Sequence, residues 1–141
     1  MTPTAPTILA ASGLVLWTLA LLILLVAARS AITLATGKPA DGYDPAGTDL
    51  GPFMQRLTRA HANACEFAPL PLALLLLAIA VEGTDVTDPL APWMLGLRIG
   101  QSLVHLASAT ASAVIVHFAA FFLPQAAITA HWGLRLAAGV L

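Results

Sequence analysis

The stretch Arg56-Leu-Thr-Arg-Ala-His-Ala-Asn-Ala-Cys-Glu66 places two cations, an imidazole, an amide, a thiol and a carboxylate at the mouth of an apolar run that reaches Val81. At about 100° per residue, Arg56, Arg59, Asn63 and Glu66 fall within an arc of about 80° on one helix face, and His61 and Cys65 point elsewhere. That face suits a small zwitterionic or anionic ligand. Carboxylates are drawn to Arg59 and, across the preceding loop, to Lys38, and an ammonium group is drawn to Glu66. Arg56, at the water boundary, reads as a collar residue that snorkels. Cys65 reads as an inert buried thiol, and His61 as a structural hydrogen-bonding group. A second polar face carries Arg98, Gln101, Ser102 and His105 within an arc of about 100°. Ionisable groups inside apolar segments are costly and usually functional. A buried guanidinium needs a partner. Glu66 is the only carboxylate inside any apolar run, so a structural ion pair between Glu66 and Arg98 is expected.

Other chemistries are excluded. His61, His105, His117 and His131 form no H-x3-H pair, and Cys65 is the only cysteine, so no metal site is expected. Asp41, Asp44 and Asp49 match no calcium-loop spacing and read as a solvated loop. No glycine-rich phosphate loop and no Ser-His-Asp set is present. A net charge of -1 with no Lys/Arg cluster gives no field for nucleic acid.

These faces must be positioned by helices in lipid. The chain has 141 residues, 59% hydrophobic and 9% charged, where a soluble domain carries about 25% charged residues. The patterning predicts an all-α integral membrane protein: one domain over 1–141, a four-transmembrane-helix bundle with helices at roughly 8–36, 53–81, 90–110 and 114–138. Gly37 and Pro39 end the first helix. Pro69 and Pro71 bend the second. The small residues at 109–113 mark a tight turn, and Pro124 kinks the fourth helix. On that helix Phe118, Phe122, Gln125, Thr129 and Trp132 share a face that reads as packing. Nothing before the first apolar run resembles the basic region of a removable signal peptide.

Arg29, Lys38, Arg56 and Arg59 flank the first loop, and the acidic turn over 82–88 has no Lys or Arg. The 37–58 loop is therefore expected in the cytoplasm, with both termini outward, in an inner (cytoplasmic) membrane. Counting outward from Asp85 puts Glu66 and His105 at the same depth, with Arg98 about 10 Å nearer the outside.

Arg59-Ala-His-Ala-Asn63-Ala-Cys-Glu66, with Pro69 and a Leu-rich span after it, resembles the signature of the MAPEG family, the membrane-associated proteins of eicosanoid and glutathione metabolism, in its bacterial type. Ala-Ile-Thr-Leu-Ala-Thr-Gly-Lys at the end of the first helix, Arg98 and Pro124 extend the similarity over most of the chain. The resemblance implies a homotrimer in the lipid bilayer that binds glutathione between protomers, and a glutathione transferase or peroxidase acting on a lipophilic small-molecule substrate. It implies glutathione contacts at Asn63 and Glu66, with Arg59 supporting and Lys38 matching a basic residue. Gln101 stands where some members have His, and His105 where they have Tyr. Val114 and Phe118 stand where the eicosanoid enzymes have an Arg and a Tyr that stabilise the thiolate. His117, beside Phe118, is the nearest substitute, displaced along the helix. The alternative is a non-catalytic member of the same fold that lacks those activating groups.

Overall fold

Residues 5–108 and 110–140 are described by a computed structural model, without the side chains of Ala111, Ala113, Val114 and Val140. Among the described residues every regular element is helical. The first helix, α1, spans Ala5–Thr36. It ends at Gly37, whose φ of 72° lies in the left-handed region and whose N–H reaches the Thr33 carbonyl at 2.9 Å. A residue with a Cβ is strained there, which is why glycine stops helices this way.

The loop to Pro52 folds back on the end of α1. The Tyr43 hydroxyl donates to the Arg29 carbonyl at 3.0 Å and lies 2.8 Å from the Thr33 hydroxyl. Asp44 accepts from the backbone N–H groups of Ala46 and Thr48, and Lys38 ion-pairs with Asp49. Leu50 plugs into an apolar cluster with Leu21, Leu25, Met54 and Leu57.

Helix α2 (Pro52–Phe67) starts with proline at its first position, where a missing N–H costs nothing. It runs into α3 (Pro69–Ala80) through Ala68, which keeps helical dihedrals. Together they form one run over Pro52–Ala80. Among the described residues this run and α1 are the two helices long and apolar enough to cross a membrane, at mean hydropathy 1.7 and 2.6. Their outer faces are apolar: Leu16 is 62% exposed and Ile23 59% exposed, as is Trp93 (66%) farther along the chain. Large exposed apolar faces belong against lipid or protein.

The acidic turn is more structured than a solvated bend. It contains one helical turn, α4 (Thr84–Thr87), and both ends of that turn are buried. The Thr7 hydroxyl donates to Asp88 at 2.6 Å and lies 2.7 Å from the Thr87 hydroxyl, tying the start of α1 to this turn. Helix α5 (Ala91–Ala107) comes next. Then α6 (Ala111–Val116), a π-helical segment (His117–Phe122) and α7 (Leu123–Val140) succeed one another. The expected turn over 109–113 falls partly outside the described residues. The core where α1, α3, α5 and α7 meet holds Leu14, Leu75, Ala91, Met94 and Trp132.

The depth count from Asp85 is overturned. Arg98 hydrogen-bonds Asn63, and Arg56 hydrogen-bonds the Leu106 carbonyl. Both pairs put the pivot of the antiparallel pair near Val81. Because the helical turn of α4 folds the chain back before α5 begins, α5 is displaced along α2 by about eight residues, roughly 12 Å, toward the first loop. His105 therefore lies well below Glu66, beside the start of α2, and Arg98 lies level with Asn63.

Candidate functional site

Helix α5 carries the centre of the polar layer. Arg98 is 1% exposed. Its Nη2 donates to Asn63 Oδ1 on α2, and its guanidinium sits 5.8 Å from the Phe67 ring centroid. Helix periodicity explains the pairing. Asn63 and Phe67, four residues apart, face α5, and Glu66 is turned about 60° away from Asn63. The expected ion pair is not formed: Arg98 pairs with Asn63, and Glu66 is exposed on the single chain. Arg56 also departs from its expected collar role. It is half-buried, and its Nε donates 2.8 Å to Leu106, satisfying a carbonyl in the last turn of α5.

Below Arg98 the layer continues toward the last helical run. Gln125, fully buried on α7, donates from Nε2 to the Phe121 carbonyl at 3.1 Å and to Gln101 Oε1 at 2.9 Å. Gln101 Nε2 lies 3.1 Å from His117 Nε2. His105 Nε2 lies 3.2 Å from the same atom, with the two imidazole centroids 3.8 Å apart. On the other side of α5, Trp17 donates to Ser102 at 3.1 Å, and Ser102 donates to the Arg98 carbonyl at 3.1 Å. The result is a chain of polar groups across four helical runs. Three of its buried atoms have no partner among the described residues: Arg98 Nε, His117 Nδ1 and Gln125 Oε1.

Of the residues singled out in the sequence, Asn63, Gln101 and His105 thus enter one layer with Arg98. Arg59 is exposed on α2, close enough for its charge to act on His105. Glu66 is exposed on the same helix, one turn above Asn63. Lys38 is not brought to them: its ammonium is engaged with Asp49 and lies 5.0 Å from the Tyr43 ring centroid. His61 faces away, toward α1, with Nε2 3.4 Å from Cys65 Sγ. Cys65 is exposed on the single chain, not buried as expected. This pair borders an apolar cavity of about 440 Å³ between α1 and α2–α3, lined also by Leu14, Leu22 and Leu72. Among the described residues no cluster of metal-ligating side chains occurs.

Two members of the layer were not assigned to it by the sequence. Gln125 was read as packing, and His117 only as a displaced substitute. A glutamine inside an apolar run is itself a signal. The face shared with Phe118 concealed it, and the structure breaks that face: Phe118 is 52% exposed, whereas Gln125 and Trp132 are fully buried. The side chain of Val114 lies outside the described residues.

Fold and site together define an all-helical membrane protein whose buried polar layer lies beside an exposed pair of opposite charges. More narrowly, the chain belongs to the MAPEG family, whose model matches residues 7–136, nearly its whole length. No curated protein and no solved structure matches it.

Proposed function

We propose that this protein is a four-span integral membrane protein that binds glutathione beside the polar layer of α2, α5 and the π-helical segment, and that it is a glutathione transferase or peroxidase acting on lipophilic electrophiles or hydroperoxides. The observation that carries the reading is the guanidinium of Arg98, 1% exposed and still lacking a partner at Nε among the described residues, set beside the exposed charges of Arg59 and Glu66. Glutathione has two carboxylates and one ammonium group. Arg59 and Arg98 are the cations for the carboxylates, and Glu66 is the anion for the ammonium. Asn63 is held by Arg98 and keeps its amide N–H groups for the ligand. Gln101 and His105 form the floor. Lys38, tied to Asp49, is outside this grip.

Bound glutathione supplies a thiol nucleophile for an electrophilic carbon or a peroxide oxygen. The protein's contribution is to orient that thiol. Family membership supports a homotrimer, in which a neighbouring copy completes the site over Arg59 and Glu66. The positive charge around the first loop supports a cytoplasmic 37–58 loop, outward termini and an inner-membrane location.

A second reading is a glutathione-binding member without catalysis. It is favoured by Phe118, which stands where the eicosanoid enzymes have a thiolate-stabilising Tyr and is 52% exposed. Titration of the purified protein with glutathione, followed by conjugation of a generic electrophile, separates the two. Asn63→Ala and Glu66→Ala should each weaken binding about tenfold, and His61→Ala should not. Binding without turnover selects the second reading, and no binding at millimolar glutathione sinks both.

A further inference from the structure

The geometry points to His117 as the thiolate-stabilising group of this chain, its Nδ1–H donating to the sulfur of bound glutathione; this rests on the glutathione-binding reading above. Two independent observations carry it. The first is helix phase. In an unbroken α-helix Phe118 and Gln125, seven residues apart, share a face. A π-helical turn acts as one inserted residue and rotates the residues before it by about 100° relative to those after it. The segment His117–Phe122 is such a turn, with the Leu123 N–H bonded to the Phe118 carbonyl five residues back. Rotation carries Phe118 outward and brings His117 onto the side of Gln125, against Gln101 and His105.

The second is proton bookkeeping. The Phe121 carbonyl can only accept, so the Gln125 atom facing it is the amide nitrogen. That nitrogen also donates to Gln101, which makes the near atom of Gln101 its oxygen. The other end of Gln101 is then its NH₂, and it donates to His117 Nε2, so His105 Nε2, 3.2 Å from the same nitrogen, can only be a second donor to it. A neutral imidazole accepting at Nε2 carries its proton on Nδ1. His117 Nδ1 is buried without a partner among the described residues. It is a fixed donor awaiting an acceptor, flanked by His105 and Arg98. A sulfur anion is such an acceptor. On ionisation the S–H bond breaks, its proton leaves to water, and the electron pair stays on sulfur, where the Nδ1–H hydrogen bond and the nearby cations stabilise it.

The test uses the full chain in nanodiscs, with glutathione as the probe. Bound thiolate is read by its ultraviolet absorbance at fixed neutral pH, and affinity by calorimetry. His117→Phe should keep affinity within about threefold and lower the thiolate fraction about tenfold. His117→Gln, which retains a donor, should recover part of that loss, and Phe118→Leu should change neither quantity. An unchanged thiolate fraction in His117→Phe overturns the assignment. Glutathione bound by the native protein with no thiolate signal overturns it too, and leaves the binding reading standing. No glutathione bound overturns both. A ligand-independent measurement decides if His117→Phe does not fold: imidazole nitrogen chemical shifts should report the Nδ1–H tautomer for His117, and the Nε2–H tautomer would refute the proposal.

Discussion

Arg98 and Asn63 show how a buried charge is held without a counter-charge. Asn63 supplies a single acceptor, the Phe67 ring face adds a cation–π contact, and Arg98 Nε stays unpartnered among the described residues. The two partners are therefore not equivalent to remove. Asn63→Ala leaves a buried guanidinium with both Nε and Nη2 unsatisfied and should cost about 2–3 kcal/mol. Arg98→Met removes the charge together with its desolvation cost and should cost only about 1 kcal/mol. Unfolding titrations in mixed micelles would read the order, and a larger loss for Arg98→Met would mean that Asn63 is not the main partner. The sequence made both residues legible as polar groups in an apolar helix, but it paired Arg98 with Glu66. Charge complementarity chose that carboxylate, and the packing register chose the amide.

The loop carboxylates respond to acid in a direction the structure fixes. Asp44 is held below the ordinary 3.8 first by the Thr48 hydroxyl and then by the Ala46 and Thr48 N–H groups, and Asp49 by the Lys38 ammonium. A carboxyl whose folded pKa is lowered favours the ordered loop fully above its unfolded value and loses that effect as pH falls through the folded one. The amide proton shifts of Ala46 and Thr48 should titrate with a midpoint below 3.8. A midpoint above 3.8 would show that Asp44 does not accept these bonds.

At the scale of elements, helix ends were legible and helix interiors were not. Gly37, Pro39 and Pro52 mark their boundaries by backbone chemistry alone, so α1 and the start of α2 fall where their residues put them. The π-helical segment leaves no such mark: its HFAAFF sequence is apolar on nearly every side, so a change of phase alters no visible pattern. Its Phe121 packs closely on Gly100 of α5. A Cβ at Gly100 would come within 2.7 Å of the Phe121 ring, but one at Gly96 meets nothing within 4 Å. Gly100→Ala should therefore destabilise the protein by about 1–2 kcal/mol through the ring it displaces. Gly96→Ala should be neutral or gain up to about 1 kcal/mol of helix propensity. Thermal melts of the two variants in one detergent make the comparison, and equal melting temperatures would mean that Phe121 is not packed on Gly100.

At the scale of the whole molecule, the distribution of polarity is inverted relative to a water-soluble protein. Arg98, Gln101, Ser102 and Gln125 are inside, and leucines cover the outside of α1. The family and this inversion were both legible, because composition and the Arg59–Glu66 string are local. The register of α5 against α2 was not. It depends on the folding-back of one short helical turn, which the sequence presents as an acidic bend. Cys65 provides a direct test of the inversion, since it is the only cysteine. It lies on α2 beside the apolar cavity against α1, exposed on the single chain yet about 20 Å from Pro52 along a helical run long and apolar enough to cross a membrane. In intact membranes a lipid-soluble maleimide should therefore modify Cys65, and a charged thiosulfonate should not modify it from either side. After unfolding in detergent both should react to completion. Exposure to water would give equal labelling by the two reagents before unfolding. Closure of the α1–α2 cavity by a neighbouring copy would block both until the assembly is dissociated. Selective reaction with the apolar reagent alone places the α1–α2 face against acyl chains and leaves the Arg59–Glu66 face for the proposed ligand.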